Sequence, residues 1–393
     1  MPEQQMTGIQ SIFDTLQSDD EIRIRVYAND HFLHENTSKE PSSSSQESAS
    51  CGERPESSPS VYDDAVTLEL VSQLCFSTAM NSSLDHEWMA KRLKISESPY
   101  EYISSLPSKD IRGAFIDSFN VWFGAPEEKT AVIKEVISMF HNSSLIIDDF
   151  QDNSPLRRGK PSAHTIFGPA QAINSATSII IKAIDSLQAI ANYTSLTEVT
   201  ANIMTVFQGQ AMDLSWTFNN TPPSIQDYLL MINDKTGGLF RLANQLLELN
   251  CQERLADNAL KSISNMVSLL GQHFQIRDDY MNLVDLHYTD QKGFCEDLDE
   301  GKYSLPLLHA LQRDSSGILT NMLSMRRVQG SLTVEQKRLM LHEMKVNGSL
   351  DWTELLIGAL CERTLTEIGR LERETNKDNP ALKVLVERLR LDS

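Results

Sequence analysis

Paired cysteines, long hydrophobic runs, basic charge and strand-like alternation are all scarce in this 393-residue sequence. The five cysteines (Cys51, Cys75, Cys251, Cys295 and Cys361) are odd in number and form no C-x-x-C pair, which argues against a disulfide framework and a zinc cluster. No apolar run is long enough to span a bilayer. A formal net charge of −19 leaves no cationic face for a nucleic-acid backbone or an anionic membrane surface. Neither a nucleic-acid partner nor a membrane anchor is therefore expected. Early acidic residues (Glu3, Asp14, Asp19, Asp20, Glu21) are unlike a secretory signal or an Arg-rich transit peptide, and Leu391-Asp392-Ser393 is not a peroxisomal address. A cytoplasmic protein is the expectation. An anionic substrate on so acidic a chain must be received by a local group of Lys and Arg or by a bridging metal.

The hydrophobic content of 40% is ample for a core. Residues 1–61 read as an N-terminal extension in which a Ser-, Glu- and Pro-rich stretch from about 35 to 60 is a disordered linker, being too poor in apolar residues to offset ordering entropy. From there to residue 393 the pattern is helical almost throughout. Gly and Pro fall between periodic segments, at Gly124-Ala125-Pro126, Pro155 to Pro161, Gly168-Pro169, Pro222-Pro223 and Gly237-Gly238. Thr333-x-x-Gln336 and Asp351-x-x-Glu354 read as capping boxes. The expected fold class is all-α, a single helical bundle spanning 62–393.

Two acidic stripes stand out. The first is His141-Asn142-Ser143-Ser144-Leu145-Ile146-Ile147-Asp148-Asp149-Phe150-Gln151-Asp152, with Arg157 and Arg158 close behind. On a helix Asp148 and Asp152 stand one turn apart, and such carboxylates repel unless a cation lies between them. Mg²⁺ is commonly held by one or two carboxylates together with substrate phosphates, and arginine forks complement phosphate oxygens. The second stripe is Phe274-Gln275-Ile276-Arg277-Asp278-Asp279-Tyr280-Met281-Asn282, followed by Lys292 and Lys302. Two such helices facing one another in a bundle make a cavity with carboxylates on opposite walls. Lys109, Arg112 and Lys235 add cations near other helix ends.

The string from His141 to His164, with K-T-G-G-L-F at 235–240, F-Q-I-R-D-D-Y at 274–280 and K-G-F-C-E-D-L-D-E-G-K at 292–302, closely resembles geranylgeranyl diphosphate synthases of the fungal and animal type, which are trans-isoprenyl diphosphate synthases. The resemblance covers about Pro99 to His309. It implies a Mg²⁺-dependent, oligomeric prenyltransferase with the all-α isoprenoid synthase fold and a central active-site cavity. Its substrates would be isopentenyl diphosphate and an allylic diphosphate. By the same resemblance Asp148, Asp149 and Asp152 would bind Mg²⁺ (about three ions per site), with Asp278 and Asp279 on the opposite wall. Arg157, Lys235, Lys292 and Lys302 would contact the allylic diphosphate, and Thr236 and Gln275 would sit near its reacting carbon. Lys109, Arg112, His141 and Arg158 would grip isopentenyl diphosphate. The chain departs from the family's usual pattern at Ser108, where Gly is usual, and at Asn282, which replaces a third Asp.

The growing tail is expected to run back from Asp148 between helices. Ser143 and Ser144, roughly 6–7.5 Å away along the axis, would be the early wall. Two serines leave that wall open, and Ile180, Ile181 and Phe207 are the next candidates for a floor, so a twenty-carbon product is expected. Three other readings compete: a terpene cyclase, the prenyltransferase portion of a bifunctional cyclase, and a non-catalytic partner subunit. Both acidic motifs are intact and no N-x-x-x-S-x-x-x-E motif is present, which favours a synthase. The Met1 start and short upstream region favour a stand-alone one.

Overall fold

The computed structural model describes residues 82–108, 110–285 and 293–391. The expectations for the N-terminal extension and its linker, and those for Lys109 and Lys292, lie outside these residues. Helices α1 (Ser82–Ser105), α2 (Ile111–Phe123) and α3 (Glu127–Gln151) lead into an antiparallel hairpin of β1 (Leu156–Arg157) and β2 (Lys160–Pro161). Then come α4 (Ala163–Phe167), α5 (Pro169–Ser186), α6 (Tyr193–Asn219), α7 (Ile225–Lys235), α8 (Gly237–Leu249) and α9 (Asp257–Val284). The last six are α10 (Glu296–Glu300), α11 (Leu305–Leu311), α12 (Ile318–Gln329), α13 (Val334–Val346), α14 (Ser349–Thr375) and α15 (Pro380–Glu387). The expected all-α class is what the chain adopts, and the hairpin is the one sheet among the described residues.

Helix α8 sits in the middle because it is apolar around most of its circumference. Gly237, Gly238, Phe240, Leu242, Ala243, Asn244, Leu246 and Leu247 are all buried, and a helix with so little polar face must be surrounded. Helices α2, α3, α6, α7 and α9 surround it. One core cluster fills the space among them, with Phe115, Phe119, Trp122 and Phe123 of α2 as its largest side chains. Each contributes about 1.5–3 kcal/mol or more on burial. A second cluster lies between α7, the far end of α9 and helices α11 to α14. The final stripe closes the first cluster, with Leu382, Val386 and Leu389 buried.

Of the two expected capping boxes, one forms. Thr333 Oγ1 accepts from Gln336 N–H at 3.2 Å, and Gln336 Oε1 accepts from Thr333 N–H at 2.8 Å. The other does not. Helix α14 starts earlier, with Gly348 at the cap, so Asp351 lies inside the first turn. There its charge faces the positive end of the helix dipole.

Close approach of backbones brings the central helices into register. A Cβ on Gly271 of α9 would lie 2.5 Å from Gly237 Cα, and one on Gly209 of α6 would lie 2.6 Å from the Lys235 nitrogen. Only glycine permits these contacts. We expect Gly271→Ala to cost about 1–3 kcal/mol by overpacking. Gly358→Ala, in α14 with nothing within 4 Å of the new methyl group, should instead stabilise by about 0.5–1 kcal/mol. Urea unfolding of the two variants checks the contrast, and equal midpoints would refute the close crossing.

Candidate active site

A cavity of about 280 Å³ opens among α2, α3, α5, α6, α8 and α9, and its lining changes from polar to apolar turn by turn. On α3, Gln151 and Asp148 lie at the mouth, then Ser144, then His141 and Phe140, and finally Ile137. From Asp148 to Ile137 is eleven residues, a depth of about 16 Å. On α6 the same descent runs Gln210, Phe207, Ile203, and on α8, from its cap, Thr236, Phe240, Ala243. Phe115 and Phe119 of α2, Ile180 of α5 and Phe274 of α9 complete the lower wall.

The two Asp-Asp pairs behave alike. Asp148 and Asp278 line the cavity. Asp149 and Asp279 are fully buried behind it. Asp149 Oδ1 accepts from Arg157 Nε at 2.8 Å, and Nη2 of the same guanidinium also reaches it. Asp279 accepts from Tyr228 OH at 2.6 Å, Gln275 Nε2 at 2.8 Å and the Leu305 N–H at 3.3 Å, with Lys302 Nζ at 3.9 Å. Asp149 and Asp279 sit behind the cavity while Asp148 and Asp278 line it, because adjacent helical residues point about 100° apart. The work of the buried two is to hold the cations and amides around the mouth. Asn282, one turn on, is also turned inward, and its Oδ1 accepts from the Asp297 N–H at 3.3 Å.

The same rotation separates two pairs of expected wall residues. Ser144 lines the cavity, whereas Ser143 is fully buried against neighbouring helices. Ile180 lines it, whereas Ile181 is 61% exposed on the outside of α5.

The cations arrive from several elements. Lys235 ends α7, with Nζ 2.7 Å from Asp213 and 3.4 Å from Asp148. Thr236, at the break between α7 and α8, donates Oγ1–H to Gln275 Oε1 at 2.6 Å. The Gly237–Gly271 crossing makes this bond possible. Lys302 follows α10 and is buried at the mouth between Asp279 and Asp297. Burial would lower the pKa of Lys235, but Asp148 and Asp213 more than offset it, and the ammonium stays charged. The same holds for Lys302 beside Asp297 and Asp279, and for Arg157 beside Asp149. The hairpin turn at Arg158 and Gly159 has positive φ at both residues (54° and 72°), as a tight hairpin requires. It sends Arg157 back to Asp149, while Arg158 Nη1 donates to the Leu106 carbonyl at 3.2 Å.

Arg112, His141 and Arg158 form a second cationic corner. Burial and the charge of Arg158 lower the Arg112 pKa to about 10. Burial, with Arg112 and Arg158 close by, holds His141 well below its usual value, so its imidazole is neutral. Uncompensated cations that repel one another are what an incoming anion would relieve. Ser108 Oγ accepts from the Asp110 N–H at 3.2 Å, and Asp110 caps α2 from a left-handed conformation (φ 41°).

Asp152 has the opposite imbalance. Burial, then Asp148 and Glu300, raise its carboxyl pKa far above the usual range. The crowding of acidic groups at the end of α3 suits a divalent cation. Among the described residues, however, no group of three His, Cys, Asp or Glu side chains is close enough to hold one. Such a site fits Mg²⁺ that arrives with diphosphate oxygens, since that ion usually takes only one or two protein carboxylates.

Several residues of the site, lining the cavity or holding those that do, escaped the sequence reading. Gln210 Nε2 donates to Asp148 Oδ1 at 3.0 Å, and Asp213 holds Lys235. Their i, i+3 spacing on α6 is a signal that could have found them. Tyr228 had none, since an aromatic on an apolar face reads as core. Phe115, Phe119, Phe240 and Phe274 likewise became a cavity wall only through packing.

This arrangement has counterparts in known proteins. A family model described as polyprenyl synthetase matches residues 93–339. The chain belongs to the polyprenyl synthetase family. Geranylgeranyl pyrophosphate synthase 2 of Gibberella fujikuroi is 60% identical over 393 residues, all of both chains. Fusicoccadiene synthase of Phomopsis amygdali is 47% identical over 309 residues, 78% of this chain and 43% of that protein. The bifunctional sesterterpene synthase of Aspergillus aculeatus is 45% identical over 298 residues, 75% of this chain and 41% of its own length. A polyprenyl synthetase joins isopentenyl and allylic diphosphates. The mouth of this family member carries carboxylates and cations, and an apolar barrel lies below it.

Tyr228 sets up a test of the division within Asp279-Asp278. Tyr228→Phe removes one donor from a buried carboxylate and should cost about 1–3 kcal/mol of stability. Urea denaturation measures this, and an unchanged midpoint would show that the hydroxyl does not carry Asp279.

Proposed function

We propose that this protein is a geranylgeranyl diphosphate synthase that adds isopentenyl diphosphate to allylic diphosphates and releases mainly the twenty-carbon product for terpenoid biosynthesis. The observation that carries this reading is a cavity about 16 Å deep whose acidic and cationic mouth opens onto an apolar barrel. The end-to-end similarity to the Gibberella fujikuroi protein supports it. Intact Asp148 and Asp278 at the mouth support an enzyme over a non-catalytic partner subunit.

Asp148 and Asp152 on one wall and Asp278 on the other would hold about three Mg²⁺ between themselves and the allylic diphosphate. Bound there, Mg²⁺ supplies neutralisation of the leaving diphosphate. Arg157, Lys235 and Lys302 stabilise the negative charge that grows on that group as the C–O bond stretches, a role that the resemblance also gives Lys292. Thr236 Oγ1 and Gln275 present oxygen to the carbon where positive charge develops. Arg112, His141 and Arg158, with Lys109, hold isopentenyl diphosphate so that its alkene carbon meets the allylic carbon. A C–C bond forms, diphosphate leaves with the electron pair of the C–O bond, and a proton passes from the neighbouring carbon to the departing diphosphate. The fixed geometry accounts for much of the rate.

Exposed apolar side chains along α6 (Met204, Met212, Phe218), with Ile181 on α5, support a homodimer or higher homo-oligomer. A cytoplasmic location is part of the same proposal, supported by the free thiols of Cys251, Cys295 and Cys361.

Incubation with isopentenyl diphosphate, Mg²⁺ and each allylic starter, followed by chain-length analysis, should yield chiefly the twenty-carbon diphosphate. No condensation with any starter would overturn the reading. Ser144→Phe should move the product toward fifteen carbons, whereas Ile181→Phe, facing outward, should not; the opposite pattern would misplace the tail. Mg²⁺ together with inorganic diphosphate should raise the melting temperature, by the equivalent of about 2.7 kcal/mol at a hundredfold excess over Kd. Neither component alone should do so, and Asp148→Asn should abolish the rise.

A further inference from the structure

The reaction above does not use Glu300, a carboxylate 7% exposed at the end of α10. Its Oε1 accepts a hydrogen bond of 2.5 Å from Ser154 Oγ, itself 5% exposed. Ser154 lies in the turn after α3, two residues past Asp152 and three before Arg157, and its N–H donates to the Asp149 carbonyl at 2.9 Å. Glu300 stands two residues before Lys302, whose own N–H donates to the Asp297 carbonyl at 2.9 Å. One side-chain bond therefore ties the loop bearing Arg157 to the loop bearing Lys302.

The tie is braced from outside the cavity. Arg326 of α12 donates Nε to the Asp299 carbonyl and Nη2 to the Glu300 carbonyl, each at 2.5 Å. Its guanidinium fills the space beside Gly301, where a Cβ would meet Nη1 at 2.5 Å. Burying another carboxylate next to Asp148 and Asp152 is unfavourable, and an apolar residue of similar size would pack at less cost. What the carboxylate supplies is a strong, directional acceptor for a hydroxyl on the facing loop.

We propose that the Ser154–Glu300 bond, braced by Arg326, sets the spacing of the two loops so that Arg157 and Lys302 close on the same diphosphate. Ser154 and Glu300 are then positioning residues for the allylic diphosphate. Isopentenyl diphosphate is held mainly from α2 and α3. The assignment of substrates rests on the function proposed above, but the spacing itself is measured without turnover.

The test compares Ser154→Ala, Ser154→Thr, Glu300→Leu, Glu300→Gln and Arg326→Gln. Calorimetric titration with Mg²⁺ and inorganic diphosphate should show weaker binding by Ser154→Ala and Glu300→Leu. In steady-state assays both should lose about 10- to 100-fold in kcat/KM for the allylic diphosphate, as expected for misplacement of about 1 Å. Their KM for isopentenyl diphosphate, which takes only Arg158 from the hairpin, should change much less. Ser154→Thr and Glu300→Gln, which keep donor and acceptor, should recover most of the loss. Arg326→Gln, which touches no cavity atom, should show the same selectivity more weakly and serves if the buried variants fail to fold. Wild-type diphosphate binding in Ser154→Ala would overturn the proposal. So would failure of the Thr and Gln variants to recover, or losses that fall equally on both substrates alongside a lower melting temperature. Absence of condensation by the wild type would refute the proposed reaction, while the diphosphate titration would still decide the role of the bridge.

Discussion

Successive residues of an α-helix point about 100° apart, so two adjacent aspartates are directed to different sides of the helix. The mouth of this cavity is built on that constraint. In each Asp-Asp pair the first member lines the opening, while the second is buried behind it and ordered by strong hydrogen bonds. Asp149 holds the Arg157 guanidinium, and Asp279 gathers Tyr228, Gln275, the Leu305 amide and Lys302. Each pair thus joins a face for cations to a frame for the groups that meet the anion. Buried carboxylates of this kind are stable only where such partners are supplied.

That frame depends in turn on how closely the helices approach. Gly271 against Gly237 brings α9 to the head of α8, and Gly209 brings α6 to the backbone of Lys235. The first contact sets Thr236 within 2.6 Å of Gln275, and the second sets Asp213 within 2.7 Å of Lys235. Any larger side chain would separate the elements, and groups that act through hydrogen-bond distances would lose one another.

The charge distribution has its own logic. A chain of net charge −19 concentrates a few cations around one opening and keeps most of them beside buried carboxylates. Arg112 and Arg158 are the exception, repelling each other and helping to keep His141 neutral. Asp152 is crowded by acidic neighbours in the complementary way. These two local imbalances, of opposite sign, are the features of the cavity that bound diphosphate and cation would neutralise.

Residue types and spacings were enough to read the all-α class, the two acidic stripes, the cations that follow them and one of the two capping boxes, because each is a local, periodic property of the chain. Periodicity could not say which of two neighbours faces inward. Ser143 and Ser144, Ile180 and Ile181, and Asp148 and Asp149 look equivalent along the sequence and differ by a rotation that only packing against other helices sets. Gln210, Asp213 and Tyr228 come from helices far along the chain, and they reach the site because the glycine crossings bring their elements together. The sequence by itself determined the kind of chemistry the cavity can hold. Tertiary structure decided which side chains face that chemistry and which hold the others in place, since direction is fixed by contacts between helices and not by order along one.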